Sequence, residues 1–201
     1  MATESFYILK DKKKKNLIDS IENCLKTKSF EKISIEDILQ EAEISRGSFY
    51  KYFSDKTDAV LTYVDARIKY LFEIYKICIM ECNNKLFDGT VEAYNILKYM
   101  LKDSVYIAFY NNFKFIFGVI INDIYSKKYQ KEMDDLVDWC IVNSVESKEK
   151  NMNREMMVET LDMLFTMIIA TTLKMATLLN EEIDNIEFSR KIGIIKKGIM
   201  G

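Results

Sequence analysis

Proline is absent from this chain of 201 residues, and glycine occurs only six times. Proline ends or kinks a helix, and a glycine inside a helix costs about 1 kcal/mol relative to alanine. β-Sandwiches and barrels need turn residues at short intervals, which this sequence does not supply. The scarcity of both residues therefore predicts an all-α protein with long helices.

Histidine is absent as well, and the four cysteines form no CxxC pair. A zinc site would need thiolates from distant helices without an imidazole ligand. A glycine-rich phosphate loop is also missing, so we expect no metal, no cofactor and no enzymatic activity. The cysteines fit buried apolar side chains in a reducing compartment. The alternative is a redox-sensing pair at Cys78 and Cys82, four residues apart on one helix face.

A strong charge of one sign is lacking too, since the formal net charge is −2. This excludes a polycation that coats nucleic acid, but it leaves open a site-specific binder with a local positive face. The polar N-terminus does not resemble a signal peptide. The most apolar run, residues 164–179, is too short to span a membrane and contains Lys174. We therefore expect a cytoplasmic protein that contacts no membrane.

A capping pattern predicts the start of a short helix. Ser34 followed by Asp37 resembles a capping box, so a helix is expected to begin at Ile35 and to end near Ala42. A tight turn then leads to the next candidate cap.

Ser45 is the second N-cap candidate and predicts a helix over residues 46–52, with Phe49 and Phe53 spaced to face the core. The side chains expected to face outward are Arg46, Gly47, Ser48, Tyr50, Lys51 and Tyr52. A helix after a short turn can enter the DNA major groove, about 12 Å wide, with its N-terminal residues at the base edges. Helix N-termini also offer N–H groups to phosphate, and a glycine allows close approach. Other three-helix units with capped starts would give a similar pattern, so a purely structural role stays open.

Several short motifs keep a fixed spacing along residues 16–60. They are Leu17–Ile18, Phe30, Ile33–Ser34, Asp37–Ile38, Ala42–Ser45, Gly47–Phe53 and Asp55–Lys56. Together they resemble the DNA-binding domain of the tetracycline-repressor (TetR) family of bacterial transcription regulators. Glu43 departs from the family's turn glycine, so the turn either avoids a left-handed residue or carries about 1–2 kcal/mol of strain.

The resemblance implies a homodimer that binds a palindromic operator on double-stranded DNA, with repression as the family's commonest mode. It implies base contacts by Arg46, Ser48 and Lys51, and close approach at Gly47. Ser34, Tyr50, Tyr52 and Lys56 would mostly contact phosphates. It also implies a small-molecule effector and dimerisation through the last two long helices.

Two domains are expected, a helix-turn-helix domain over 1–55 and a helical ligand-binding and dimerisation domain over 56–201. Ser54 is expected to cap a long helix over about 56–82 that joins them. Breaks at Asn83–Asn84 with Asp88–Gly89, and at 143–153, leave helices near 90–103, 104–121, 124–143, 153–180 and 184–199. The last pair is either internal core or a dimer interface.

Aromatic residues are frequent after residue 70, and at helical spacing they are either plain core or the lining of an apolar pocket. The candidate lining is Phe72, Tyr75, Tyr106, Tyr110, Trp139 and Phe165. A ligand packed against Phe72 or Tyr75 could tilt the long helix and change the separation of the two reading helices. The alternative function is a helical adaptor that uses the same fold to bind a protein.

Overall fold

The structure is a computed structural model that describes residues 2–102, 112, 128–177 and 185–201. Over these residues the chain forms ten α-helices and no strand, so the predicted all-α fold is confirmed. Helices α1 to α5 cover Glu4–Tyr7, Asp11–Thr27, Ile35–Ala42, Arg46–Tyr52 and Lys56–Glu81. Helices α6 to α10 cover Leu86–Lys102, Gln130–Asn143, Val145–Lys150, Arg154–Thr177 and Asn185–Met200.

The helices form two compact units. The N-terminal unit contains the chain up to Tyr70 and the described residues of Leu101–Lys128. The C-terminal unit contains Leu71–Met100 and the described residues from Tyr129 onward. Helix α5 contributes residues to both units. The division predicted between residues 55 and 56 stays a prediction.

The N-terminal unit is built around the apolar faces of α2 to α5. The buried side chains of α2 recur at helical spacing and include Leu17, Ile18, Ile21 and Leu25. Arg67 of α5 contacts Asp19 and the buried Glu22 of α2, at 3.1 Å for Asp19. Apolar packing and this charged cluster therefore hold α2 against the first half of α5.

Helix α5 begins at Lys56, as predicted, but with a different cap. The Asp58 N–H donates to the Asp55 carboxylate at 2.8 Å, so Asp55 is the N-cap. Ser54 lies one position earlier and donates its backbone N–H and its hydroxyl to the Asp58 carboxylate, at 2.9 and 3.2 Å. The prediction that Ser54 caps this helix is wrong, because a carboxylate at the adjacent position takes that role.

The C-terminal unit has its own core, centred on α5 to α7 and α9. Its largest fully buried side chains are Tyr75, Tyr94, Phe87, Phe188, Ile79 and Leu86. The rings of Tyr94 and Phe188 stack with centroids 3.9 Å apart. Glu146 is buried at the start of α8, where it accepts the Leu86 N–H at 2.8 Å and so fixes the beginning of α6.

Two predicted helix limits in this unit are wrong. The break after α5 covers only residues 82–85, in which Asn83 and Asn84 have positive φ, while Gly89 lies inside α6. A short helix, α8, forms within the predicted break at 143–153, because the Ser144 hydroxyl caps it by accepting the Ser147 N–H at 3.3 Å. Apart from Asn112, the helix predicted at 104–121 lies outside the described residues.

Helices of the described ranges are all too short or too polar to cross a membrane.

Candidate nucleic-acid interface

Side-chain caps fix both helix starts of the α3–turn–α4 unit. The Ser34 hydroxyl accepts the Asp37 N–H at 3.2 Å, and the Asp37 carboxylate accepts the Ser34 N–H at 2.8 Å. The Ser45 hydroxyl accepts the Ser48 N–H at 3.2 Å. The predicted capping box and the second predicted N-cap are therefore confirmed. Each satisfies N–H groups that a helix start leaves without an internal partner.

The turn between the two helices runs through a left-handed residue. Glu43 has φ 52° and ψ 43°, and the Ile44 N–H returns to the Leu39 carbonyl at 3.1 Å. Of the two possibilities that the sequence left for Glu43, the structure adopts the strained one, at a cost of about 1–2 kcal/mol.

One face of α4 is solvent-exposed and polar. Arg46, Gly47 and Lys51 are exposed, Tyr50 is 48% exposed and Ser48 is half-buried. On the opposite face Phe49, and after the helix Phe53, are fully buried, as predicted. A Cβ built on Gly47 would meet only the Ser45 hydroxyl, at 3.9 Å. Packing within the chain therefore does not require glycine there, and the open space lies on the exposed side.

Tyr52 does not face outward as predicted. Its side chain is only 5% exposed, and the Lys13 ammonium of α2 lies 5.6 Å from its ring centroid. The error arises because the N-terminal residues and α2 cover the last turn of α4, which the pattern of residues 34–56 does not reveal. With so little exposed surface, Tyr52 is a weak candidate for a DNA contact.

Lys56 is engaged inside the N-terminal unit. Its ammonium donates to the carbonyls of Phe30 and Ile33, at 2.8 and 3.1 Å, and lies 4.6 Å from the Phe30 ring centroid. The side chain thereby ties the start of α5 to the segment between α2 and α3. This geometry favours a role in holding that segment, beside the phosphate contact that the resemblance implies.

Opposite charges surround the start of α3. The Lys28 ammonium contacts the Asp37 carboxylate at 2.7 Å, and this bond, together with those from Ser34, lowers the pKa of Asp37 to about 2. Arg46 lies 4.0 Å from Glu36, and both side chains are more than half exposed. An exposed pair at this distance contributes little to stability, so the Arg46 guanidinium remains available to a polyanion.

Two sets of residues that support α4 and its surroundings are not predicted by the sequence motifs. Thr3 and Phe6 contact the end of α4, and a four-residue helix such as α1 is too short to show a periodic signal. Asn112 is buried; its amide NH₂ donates to the Leu25 carbonyl at 3.1 Å, and its side-chain oxygen accepts the Phe30 N–H. A contact between residues more than eighty positions apart leaves no local pattern in a sequence.

The thiols show no sign of activation. Burial raises the pKa of Cys78 to about 11 and also raises that of Cys82. A raised pKa keeps a thiol protonated near neutral pH, whereas a reactive cysteine needs the thiolate. These values favour the buried apolar role over the redox pair. Among the described residues, no group of three or more acidic, cysteine or histidine side chains is arranged to hold a metal ion.

Three of the predicted pocket residues come together in the C-terminal unit. The Phe165 ring centroid lies 5.7 Å from that of Phe72 and 4.9 Å from that of Tyr75. Tyr75 is 2% exposed, its hydroxyl is hydrogen-bonded to Thr90 at 2.7 Å, and Trp139 packs half-buried against the same core. Direct ring contacts of this kind describe packed core. Tyr106 and Tyr110 lie outside the described residues, so the ligand lining stays a prediction.

Comparison with known proteins bears on the same α2–α5 region. The family model of the bacterial regulatory proteins, tetR family, matches residues 17–61. A crystal structure of a TetR family transcriptional regulator from Chloroflexus aurantiacus J-10-FL is similar, with 16% identity, a TM-score of 0.42, and coverage of 100% of this chain and 92% of that one. None of the curated proteins matches the chain. The resemblance predicted from the sequence motifs is therefore confirmed over residues 17–61, which are similar to the bacterial regulatory proteins of the tetR family.

Proposed function

We propose that this chain is a transcription regulator that binds a palindromic operator as a homodimer and releases it in response to a small molecule. The observation that carries the proposal is the exposed polar face of α4. Arg46, Gly47 and Lys51 lie on this face, and Phe49 is buried on the opposite face. Two capped helix starts hold this face, in the arrangement that helix-turn-helix proteins use to enter the major groove.

The proposal assigns roles to the exposed side chains. Arg46 and Lys51 carry donors that suit guanine edges, and Ser48 is small enough to lie against a base. Tyr50 supplies its hydroxyl to a phosphate, whereas the Ser34 hydroxyl already donates to the Asp37 carboxylate at 2.9 Å and acts mainly by capping α3. The open space at Gly47 admits the DNA backbone. Lys56 acts mainly through its bonds to Phe30 and Ile33, which orient the segment that leads into α3.

Dimer formation has support in the C-terminal unit. Ile186 and Ile194 of α10 are 74% and 65% exposed, and Met163 of α9 is 43% exposed. Cβ atoms built on Gly193 and Gly198 would meet nothing within 4 Å, so the backbone of α10 is open to close approach. Exposed apolar side chains beside an open helix backbone suit contact with the same helix of a second copy.

Effector release is assigned to an aromatic cluster of the C-terminal unit. The cluster consists of Phe72, Tyr75 and Phe165, and its first two residues belong to the part of α5 that lies in the C-terminal unit. A ligand that separated these rings would displace the C-terminal part of α5. The same helix begins at Lys56, whose ammonium bonds to the carbonyls of Phe30 and Ile33. A typical allosteric coupling of 1–3 kcal/mol would weaken operator binding about 5- to 150-fold.

Fluorescence anisotropy tests the proposal with the full chain, the DNA upstream of its own gene, scrambled DNA and a salt series. We expect tight, selective binding of two chains per operator, with a steep salt dependence. Arg46→Ala should weaken operator binding by about 1–3 kcal/mol and relax sequence preference, while Lys148→Ala, an exposed lysine of α8, serves as the control.

If the upstream DNA gives only weak, unselective binding, a selection from random DNA sequences decides the matter. Enrichment of a palindrome would place the operator elsewhere in the genome. Salt-insensitive binding with no enriched sequence would refute DNA recognition and favour the adaptor function.

A further inference from the structure

The N-terminal segment, residues 3–7, is attached to the last turn of α4. Thr3 donates its backbone N–H to the Tyr52 carbonyl at 3.0 Å and its hydroxyl to the Lys51 carbonyl at 2.7 Å. An α-helix leaves its last four carbonyls without partners inside the helix. Thr3 therefore supplies a C-terminal cap for α4 from a position 48 residues earlier than Lys51.

Apolar packing holds the N-terminal segment in this place. Phe6 is 5% exposed, and its ring centroid lies 5.3 Å from that of Phe53, which is fully buried directly after α4. Two hydrogen bonds and a buried aromatic pair thus join α1 to the end of α4. The N-terminal segment is therefore held by buried apolar packing as well as by hydrogen bonds at the surface.

Helix α4 needs such support because it is short. It has seven residues, and isolated helices below about 12–15 residues are marginal in water. Ser45 secures its first turn, while its last turn carries Tyr50 and Lys51. Fraying of that turn would displace two of the side chains assigned to DNA, and binding would then have to restore the helix.

We propose that Thr3 and Phe6 are positioning residues for operator binding, which keep the last turn of α4 helical and so hold Tyr50 and Lys51 ready for DNA. The inference rests on the proposed DNA-binding function. The family match begins at residue 17, so the N-terminal segment lies outside the region that it covers.

Thr3→Val in the full chain tests the cap, because it removes the hydroxyl donor and preserves the shape of the side chain. Thr3→Ser keeps a hydroxyl and should bind like the wild type. Thr27→Val is the matched control, since the Thr27 hydroxyl also donates to a backbone carbonyl, that of Cys24 at 3.0 Å, at the end of α2. Operator affinity, thermal unfolding and amide hydrogen exchange are measured for each variant.

We expect Thr3→Val to weaken operator binding about fivefold, the effect of one net hydrogen bond. Amide exchange in residues 50–53 should accelerate and the unfolding midpoint should fall slightly, because the free chain also loses the bond, while the salt slope stays unchanged. The salt slope is informative because losing a phosphate contact would reduce it by about one, whereas restoring a frayed turn leaves every phosphate contact in the complex. Phe6→Ala should give a larger loss of affinity in the same direction.

Three results would overturn the inference. Wild-type affinity in Thr3→Val would show that the cap does not position α4 for DNA. A lower unfolding midpoint with unchanged affinity would assign Thr3 a merely structural role. A reduced salt slope would make Thr3 a phosphate contact. Failure of the wild-type chain to select any DNA sequence would instead refute the proposed function and the positioning role with it, while amide exchange would still show whether Thr3 caps α4.

Discussion

Among single residues, Glu43 is under the clearest backbone strain, because it ends α3 in the left-handed region at φ 52°. Glycine occupies this region without the 1–2 kcal/mol that a residue with a side chain costs. We expect Glu43→Gly to raise the free energy of unfolding by about 0.5–1 kcal/mol, less than the full strain because glycine also gives the unfolded chain more freedom. Urea unfolding measures the change.

Asn151→Gly is the matched control for Glu43. Asn151 ends α8 with φ 53°, but asparagine tolerates the left-handed region better than glutamate does. Its replacement should therefore stabilise the chain less. Equal gains at both positions, or no gain at Glu43, would contradict the assignment of strain to the glutamate.

Asp37 gives a prediction about pH. Hydrogen bonds from Lys28 and Ser34 lower its pKa from 3.8 to about 2. A carboxyl group with a lowered pKa in the folded state contributes stability that is complete above about pH 4 and disappears as the pH falls toward 2. Asp37→Asn should therefore cost about 1 kcal/mol at pH 7, a value reduced for the solvent screening of a partly exposed pair.

Unfolding measured between pH 7 and pH 2 checks this prediction. The difference between wild type and Asp37→Asn should shrink below pH 4. Asp135→Asn, an exposed position on α7, is the control and should show no such convergence. A constant difference across the whole range would mean that the Asp37 charge contributes nothing and that only the shape of the side chain matters.

Residues whose role depends on near neighbours could be predicted from the sequence. Ser34 with Asp37, and Ser45 with Ser48, bond over three positions, and both caps were recognised from spacing alone. The helical pattern predicts an outward-facing Tyr52, which is wrong because Lys13 and the N-terminal segment cover this residue. The bonds of Lys56 to Phe30 and Ile33 were equally hidden, since they cross more than twenty residues.

The predicted helix ends are correct where they depend on a local pattern and wrong where they depend on contacts with distant residues. Helix α5 was predicted over 56–82 and observed over Lys56–Glu81, because its long apolar pattern is local. The sequence predicts a break at Gly89, whereas Gly89 lies within α6. A glycine signals either a turn or a close approach of two helices, and the sequence alone does not distinguish them.

The contact between α5 and α6 makes Gly89 sensitive to substitution. A Cβ on Gly89 would lie 2.6 Å from the Ile79 Cα, a backbone atom that cannot move away cheaply. We expect Gly89→Ala to lower the free energy of unfolding by about 1–3 kcal/mol, as other overpacked cores do. Thermal unfolding followed by circular dichroism measures it.

Gly47→Ala, measured without DNA, is the matched control for Gly89, because a Cβ there would meet only the Ser45 hydroxyl, at an ordinary contact distance of 3.9 Å. Inside α4 alanine should stabilise the helix by up to about 0.5–1 kcal/mol. Opposite signs at two helical glycines would confirm that close approach, and not helix propensity, decides the outcome at Gly89. Stabilisation by Gly89→Ala would show that α5 and α6 separate easily.

For the whole molecule, the decisive question is whether two chains associate through the exposed apolar face of α10. Ile194 is 65% exposed, and a stable dimer usually buries about 1,200–2,000 Å² in total. A charge at the centre of such an interface would lose water without gaining a partner. We expect Ile194→Glu to shift the chain from dimer to monomer at micromolar concentration, as sedimentation equilibrium would measure.

Operator binding should respond together with the oligomeric state. Two linked reading helices gain roughly a hundredfold or more in affinity over one, so monomeric Ile194→Glu should bind the full operator about as weakly as a half-site. Val142→Glu introduces the same charge at an apolar position of α7 that is 66% exposed, and it should leave both the dimer and the affinity intact. A monomeric Ile194→Glu with wild-type affinity would mean that single chains recognise the operator, whereas a dimeric one would place the interface elsewhere on the molecule.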